Sequence, residues 1–338
     1  MHDLANNFPG AVPRDEMKLR VSWRAAAIAV AFLASAVAAF ALARRVEGLE
    51  APAAAIINGT ESRWSTVPYY CAVKKAATSQ NPGSAGGVLI SPTCVITAAH
   101  VASDTRPRDF EVLTYPGVVS KVAAVHVHPQ YTRKGLKNDV ALLRLAKPVT
   151  ASTIKIADRP TPVHTLVMVA GRGKTSRDQA AVVDIFKAPL NVINMVVKPS
   201  ADPGVLLFQS TSQNVNNLKR PCYGDSGGPV VNMTGNKREL VSINSAVNGG
   251  CSAERTPDGK LYTYPLYGPD LVAYRPWIAR VMAQMEKDAW CGGLYGSTAF
   301  WKADKQACVR PATRIVSGQG GPVKQVYLQT CTRKGCSG

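Results

Sequence analysis

Through the middle of the chain, from Ile56 to about Glu286, apolar residues fall in short aliphatic or β-branched runs rather than in long helical stripes. Gly87–Ile90, Cys94–Thr97, Val122–His126, Val140–Leu145, Leu166–Val169 and Leu240–Asn244 are separated by Gly, Pro, Asn and Lys turns. Many short strands with frequent turn signals predict an all-β body of barrel type. One segment departs from that pattern. Trp277, Ile278, Val281, Met282 and Met285 recur at helical spacing behind Pro276, so a helix is expected over Pro276–Lys287, with the proline in its first turn. Ahead of the body lies Ala25–Ala43, an uncharged apolar stretch led by Lys18, Arg20 and Arg24. It resembles a secretory signal sequence with an Ala41-x-Ala43 cleavage site; a retained membrane anchor is the alternative, and either one exports the body of the chain.

These shifts divide the chain into a leader over 1–43, a short segment over 44–55, the body over 56–286 and a Cys-rich basic extension over 287–338. At 338 residues and 46% hydrophobic content, the chain can bury a full core, which excludes disorder throughout. Lys and Arg outnumber Asp and Glu by 40 to 22, a formal charge of +18 that favours acidic surfaces without naming one. Eight cysteines with no CxxC pair and no zinc spacing point to disulfides, and these agree with export. No metal site, cofactor or specific nucleic-acid motif is indicated, and nothing in the pattern specifies an oligomer.

Nucleophile chemistry is concentrated in Cys222-Tyr-Gly-Asp-Ser-Gly-Gly-Pro-Val230. A serine attacking a carbonyl needs backbone N–H groups aimed at the developing oxyanion, and glycine permits the tight turn that presents them. Gly224 and Ser226 are the expected donors, and Ser226 the nucleophile. A serine hydroxyl needs a neutral imidazole beside it, oriented in turn by a carboxylate. Of the five histidines, His2 precedes the leader, His126 and His128 lie at a Pro turn, and His164 is isolated. Only His100 closes an aliphatic run, Val95-Ile-Thr-Ala-Ala-His100. Asp139 heads Asp-Val-Ala-Leu-Leu-Arg-Leu, at the edge of an apolar strand, where an Asx turn with Asn138 is the structural alternative.

Taken in order, His100, Asp139 and Ser226 resemble the triad of the trypsin/chymotrypsin family of serine proteases. Ile56-Ile-Asn-Gly-Thr is similar to that family's mature N-terminus, Gly86-Gly-Val-Leu-Ile and Ile96-Thr-Ala-Ala-His100 to its histidine segment, and Asn138-Asp-Val-Ala-Leu-Leu to its aspartate segment. Gly171-Arg-Gly lies where the family commonly has Gly-Trp-Gly, and Tyr274-Arg-Pro-Trp-Ile resembles its closing helix. The resemblance implies two six-stranded antiparallel β-barrels with a C-terminal helix, protein or peptide substrates, and no cofactor.

Departures from the family pattern are specific. Ala85 and Val101 stand where a disulfide pair would flank the histidine, leaving Cys71 and Cys94 as candidates for a bridge that staples the first barrel instead. Cys222 and Cys251 match the bridge beside the specificity pocket, and Cys291, Cys308, Cys331 and Cys336 would form two bridges in the extension. The resemblance also implies that an amine freed at Ile56 pairs with Asp225, which makes 44–55 a propeptide. Ala53-Ala-Ala55 precedes that cut, so an enzyme preferring small residues must release it. In the implied pocket, Arg220 replaces the base aspartate of a trypsin-like enzyme, and Val247 of Ser245-Ala-Val247 replaces a glycine of the wall. Small aliphatic or acidic residues before the scissile bond are therefore expected. Lys302, Lys305, Arg310, Arg314, Lys324, Arg333 and Lys334 make the extension either a solvated basic tail or a surface for a polyanion.

Overall fold

The computed structural model describes residues 56–77, 83–175, 184–211, 218–247, 251, 254–255, 261–262, 265–295, 299–305, 307–318, 321–332 and 335–337. The expected leader and propeptide lie outside the described residues. Among the described residues no helix is long and apolar enough to cross a membrane.

The chain opens on β1 (Thr60–Glu61) and then builds a closed antiparallel barrel from β2 (Tyr70–Lys75), β3 (Gly83–Ser91), β4 (Cys94–Thr97), β5 (Phe110–Thr114), β6 (Val118–Val127) and β7 (Ala141–Leu145). Neighbours run β2-β3-β4-β7-β6-β5 and back to β2. A short helix α1 (Ala99–Ala102) follows β4. Tyr70, Leu89, Ile96, Phe110, Leu142 and Leu143 of its strands are all completely buried, so both faces of this sheet are covered. Closure removes the free edges that would otherwise expose unpaired backbone groups.

A second sheet holds β8 (Leu166–Gly171), β9 (Asn191–Lys198), β10 (Val205–Ser210), β11 (Pro229–Asn232), β12 (Glu239–Ile243), β13 (Ala246–Val247) and β16 (Leu266–Pro269). Its order is β12-β11-β8-β9-β10-β16-β13, with β1 added beside β9. The sheet therefore has eight strands rather than six, because two short strands join the expected set. It curls until β12 meets β16, where the Ser242 hydroxyl donates to the Pro269 carbonyl at 2.8 Å. A separate pair, β14 (Glu254–Arg255) and β15 (Leu261–Tyr262), lies off this sheet.

The closing helix α2 spans Leu271–Tyr295, beginning five residues before the expected start. Asp270 caps it, accepting from the Val272 N–H at 3.1 Å, so Pro276 sits inside the helix and not at its start. The helix runs through residues 286 and 287 and reaches a four-stranded antiparallel sheet of β17 (Phe300–Lys302), β18 (Ala307–Gly318), β19 (Gly321–Thr332) and β20 (Gly335–Ser337). A Cys291–Cys308 disulfide joins helix to sheet. Cys331 is also disulfide-bonded, and Cys336 stands opposite it in the β19–β20 ladder.

The expected Cys71–Cys94 bridge is absent; both thiols are free and buried. They sit on β2 and β4, on opposite sides of β3. Cys71 pairs with Gly87 and Cys94 with Ser91, so they are two strand spacings apart and offset along the sheet. That exceeds the reach of a disulfide, whose Cα atoms lie within about 7 Å.

Candidate functional site

Each of the three residues singled out by the sequence lies in a segment next to a strand. β4 delivers the chain into α1, where His100 is the second residue. Its backbone N–H donates to Asp139 Oδ1 at 2.8 Å, and its ring Nδ1 lies 2.8 Å from Asp139 Oδ2. Asp139 is 1% exposed and lies two residues before β7. Its carboxylate also accepts from the Ser245 hydroxyl. The carboxylate is thus occupied by His100 and Ser245, while Asn138 turns away to donate to the Gln130 carbonyl and accept from the Tyr274 hydroxyl.

Ser226 lies in a turn whose backbone groups are almost all assigned. Asp225 donates to the Cys222 carbonyl, Gly228 to the Asp225 carbonyl, and Gly227 to the Asn244 carbonyl at 3.1, 3.0 and 2.7 Å. The Ser226 carbonyl accepts from Gly86 N–H of the first barrel at 2.7 Å, and a Cβ on Gly86 would sit 2.8 Å from the Gly228 backbone, so only glycine allows this approach. Gly224 has φ +96°, a conformation that any side chain would strain. The N–H groups of Gly224 and Ser226 donate to no group among the described residues, which leaves both available to an incoming oxyanion. The Ser226 and His100 side chains line one cavity of about 410 Å³, and no hydrogen bond joins them among the described residues.

Asp225 is completely buried, and both carboxylate oxygens are held by backbone donors: Gly173 N–H on Oδ1 at 2.7 Å and Cys222 N–H on Oδ2 at 2.8 Å. Burial pushes its carboxyl up to about 7 despite these two bonds, which pull the other way. Ile56 is also completely buried, within the core of the second sheet beside Val169 and Val230. Its nitrogen is still a peptide nitrogen, and its φ of +63° is an outlier for a β-branched residue.

The cavity wall beside Ser226 is formed by Pro221, Cys222, Asn244, Ser245, Ala246, Val247, Cys251 and Leu266. The Cys222–Cys251 disulfide spans it, and Val247 pairs with Leu266 across β13 and β16. Arg220 is not on this wall, contrary to expectation. Its backbone forms an antiparallel bridge with Ile57, at 3.0 and 3.2 Å, and this carries the side chain into the protein, where it is 5% exposed. Its Nη1 is buried without a partner among the described residues.

Sequence reasoning missed three supporting residues. Asn244 donates through Nδ2 to the Asp225 carbonyl at 3.0 Å, Gly173 holds the Asp225 carboxylate, and the Thr97 hydroxyl donates to the Gly86 carbonyl at 2.8 Å. Only the glycines around Arg172 left a visible trace in the sequence. Chemically, an imidazole held by a buried carboxylate and facing a hydroxyl can accept its proton, while two free N–H groups nearby can receive a negative oxygen.

Comparison with known proteins finds similarity to trypsins. The family model described as Trypsin matches residues 56–266. The trypsin of Sarcophaga bullata is 29% identical, the match covering 68% of this chain and 90% of that protein. Trypsin-3 of Salmo salar is 28% identical over 68% of this chain and 93% of its own length. Trypsin iota of Drosophila melanogaster is 29% identical over 67% and 87%, respectively.

Proposed function

The chain belongs to the trypsin family, and from that premise we propose that it is a serine endopeptidase with His100, Asp139 and Ser226 as its catalytic triad. The observation that carries this reading is the 2.8 Å contact between His100 Nδ1 and the buried Asp139 carboxylate, with the imidazole turned toward the cavity that holds Ser226. His100 accepts the Ser226 proton as Oγ bonds to the substrate carbonyl carbon, and the carbonyl oxygen becomes an oxyanion at the N–H groups of Gly224 and Ser226. The imidazolium then gives that proton to the leaving amine as the C–N bond breaks. Water, activated by the same imidazole, hydrolyses the acyl ester.

The cavity supports cleavage after a small aliphatic residue. Val247, Leu266, Ala246 and Pro221 offer apolar surface and limited width, and no Lys or Arg among the described residues lines the wall. Arg220, buried and off this wall, gives no support to the alternative of an acidic residue before the scissile bond. Release of 44–55 would free the Ile56 amine to neutralise Asp225, making the uncleaved chain a zymogen. The leader supports secretion or delivery to a periplasm, or anchoring with the peptidase outside the cytoplasm. The basic extension supports contact with a polyanion, which added salt should abolish without lowering peptidase activity.

A serine-directed phosphonate tests the central assignment. Protein beginning at Ile56 is expected to take up one label, and Ser226→Ala none. Equal labelling of the two proteins would remove Ser226 as nucleophile.

A further inference from the structure

Where the family resemblance would place a tryptophan, this chain has Arg172, and a tryptophan reaches the same spot from Trp64. The Arg172 guanidinium carbon lies 4.1 Å from the centre of the Trp64 ring and 5.8 Å from that of Tyr70. Arg172 is 6% exposed, and Nη1 donates to the carbonyls of Ile185 and Phe186 at 3.4 and 3.3 Å. No carboxylate pairs with it among the described residues. A cation is thus buried on aromatic faces and main-chain oxygens, a setting that suits the planar, weakly hydrated guanidinium better than an ammonium.

Its neighbours connect it to the serine turn. Gly173 N–H holds the Asp225 carboxylate at 2.7 Å, and Lys174 N–H donates to the Tyr223 carbonyl at 2.8 Å. The fit leaves no slack: a Cβ on Gly171 would collide with the Asp225 carboxylate, and one on Gly173 would stand 2.7 Å from the Asp225 nitrogen. Regular pairing ends at Gly171, the last residue of β8, so the next residues have no strand neighbour to fix them. The bonds from Arg172 to Ile185 and Phe186 are what tie this stretch down from the far side.

We propose that Arg172 is a positioning residue: stacked on Trp64 and bonded to two carbonyls, it fixes residues 171–174 as the template for Asp225, and so aims the N–H groups of Gly224 and Ser226. This rests on the reading of Ser226 as nucleophile. The device differs from simple core packing because its effect should fall mainly on the step in which the oxyanion forms and less on ground-state binding, since the apolar part of the cavity wall is built by Pro221, Ala246, Val247 and Leu266.

Two readouts test it in the full chain matured to Ile56. In Arg172→Met, which keeps the apolar stem and removes the fork, kcat per titrated site should fall roughly tenfold or more, with KM changed less than about twofold. Amide hydrogen exchange should quicken in the segments containing Gly173 and Asp225. Arg172→Lys should recover only part of the rate, and it carries the same two readouts if the methionine variant does not fold. A variant with a lower melting temperature but unchanged kcat per site and unchanged exchange in these segments would overturn the proposal. The exchange measurement separates the two readings: faster exchange in a chain whose wild type takes no phosphonate label would sink the nucleophile assignment and leave Arg172 as the anchor of the turn.

Discussion

Asp225 combines complete burial, two backbone donors and, among the described residues, no cation partner. Its carboxyl is raised from the ordinary 3.8 to about 7, so the folded state holds this proton more tightly than the unfolded state does. The associated stability is fully present below about pH 3.8 and is lost as pH rises through about 7, for a total of about 4 kcal/mol. Denaturant melts of uncleaved Ser226→Ala protein between pH 4 and 8 should show that decline, and Asp225→Asn should flatten it. Protein beginning at Ile56 should also resist the decline, because the new amine compensates the carboxylate. A flat profile for the uncleaved chain with Asp225 intact would contradict this account of the buried group.

Among the elements, the strands were legible wherever the apolar run itself decided burial. Val140–Leu145 became β7 and Cys94–Thr97 became β4 because their side chains fill a closed barrel. The start of α2 was misjudged because proline suits a first turn, whereas the Asp270 cap one turn earlier is a stronger signal. The residues of the proposed triad could be read from local motifs. The roles of Asn244, Gly173 and Arg172 could not, although the Gly171-Arg-Gly motif is visible, since they depend on contacts made only when distant strands meet: Gly173 and Asp225 are 52 positions apart. The cysteines show the same limit. Counting them suggested a Cys71–Cys94 bridge, but barrel register places β3 between them. An alkylating reagent should therefore find two thiols per chain after denaturation and essentially none before, since both are buried. Absence of thiols in the denatured chain would restore the bridge.

At the scale of the whole molecule, the proposed maturation is the decisive event, and the sequence before Ile56 links it to specificity. Because alanine precedes the cut and Val247 and Leu266 line the cavity, the enzyme is expected to release its own propeptide. Ser226→Ala protein made alone in an exporting host should retain 44–55 and lose it when active enzyme is added. A mutant that still begins at Ile56 would assign the cut to another protease. The ends of the body are also exchanged between its halves. Ile56 is buried in the core of the second sheet, and β1 pairs with β9, although both precede the first barrel in sequence. Helix α2 follows the second sheet, yet it packs Tyr274, Trp277 and Ile278 into the core that holds the first barrel, and Tyr274 reaches Asn138 beside Asp139. Each half is completed by a segment synthesised with the other. A ribosome that has made the first barrel and its histidine has not yet made the helix that steadies the neighbouring aspartate, so a partly translated or partly threaded chain holds no finished site. The candidate site is expected to be complete only once Tyr274 has been made, and hydrolysis then still awaits release of 44–55.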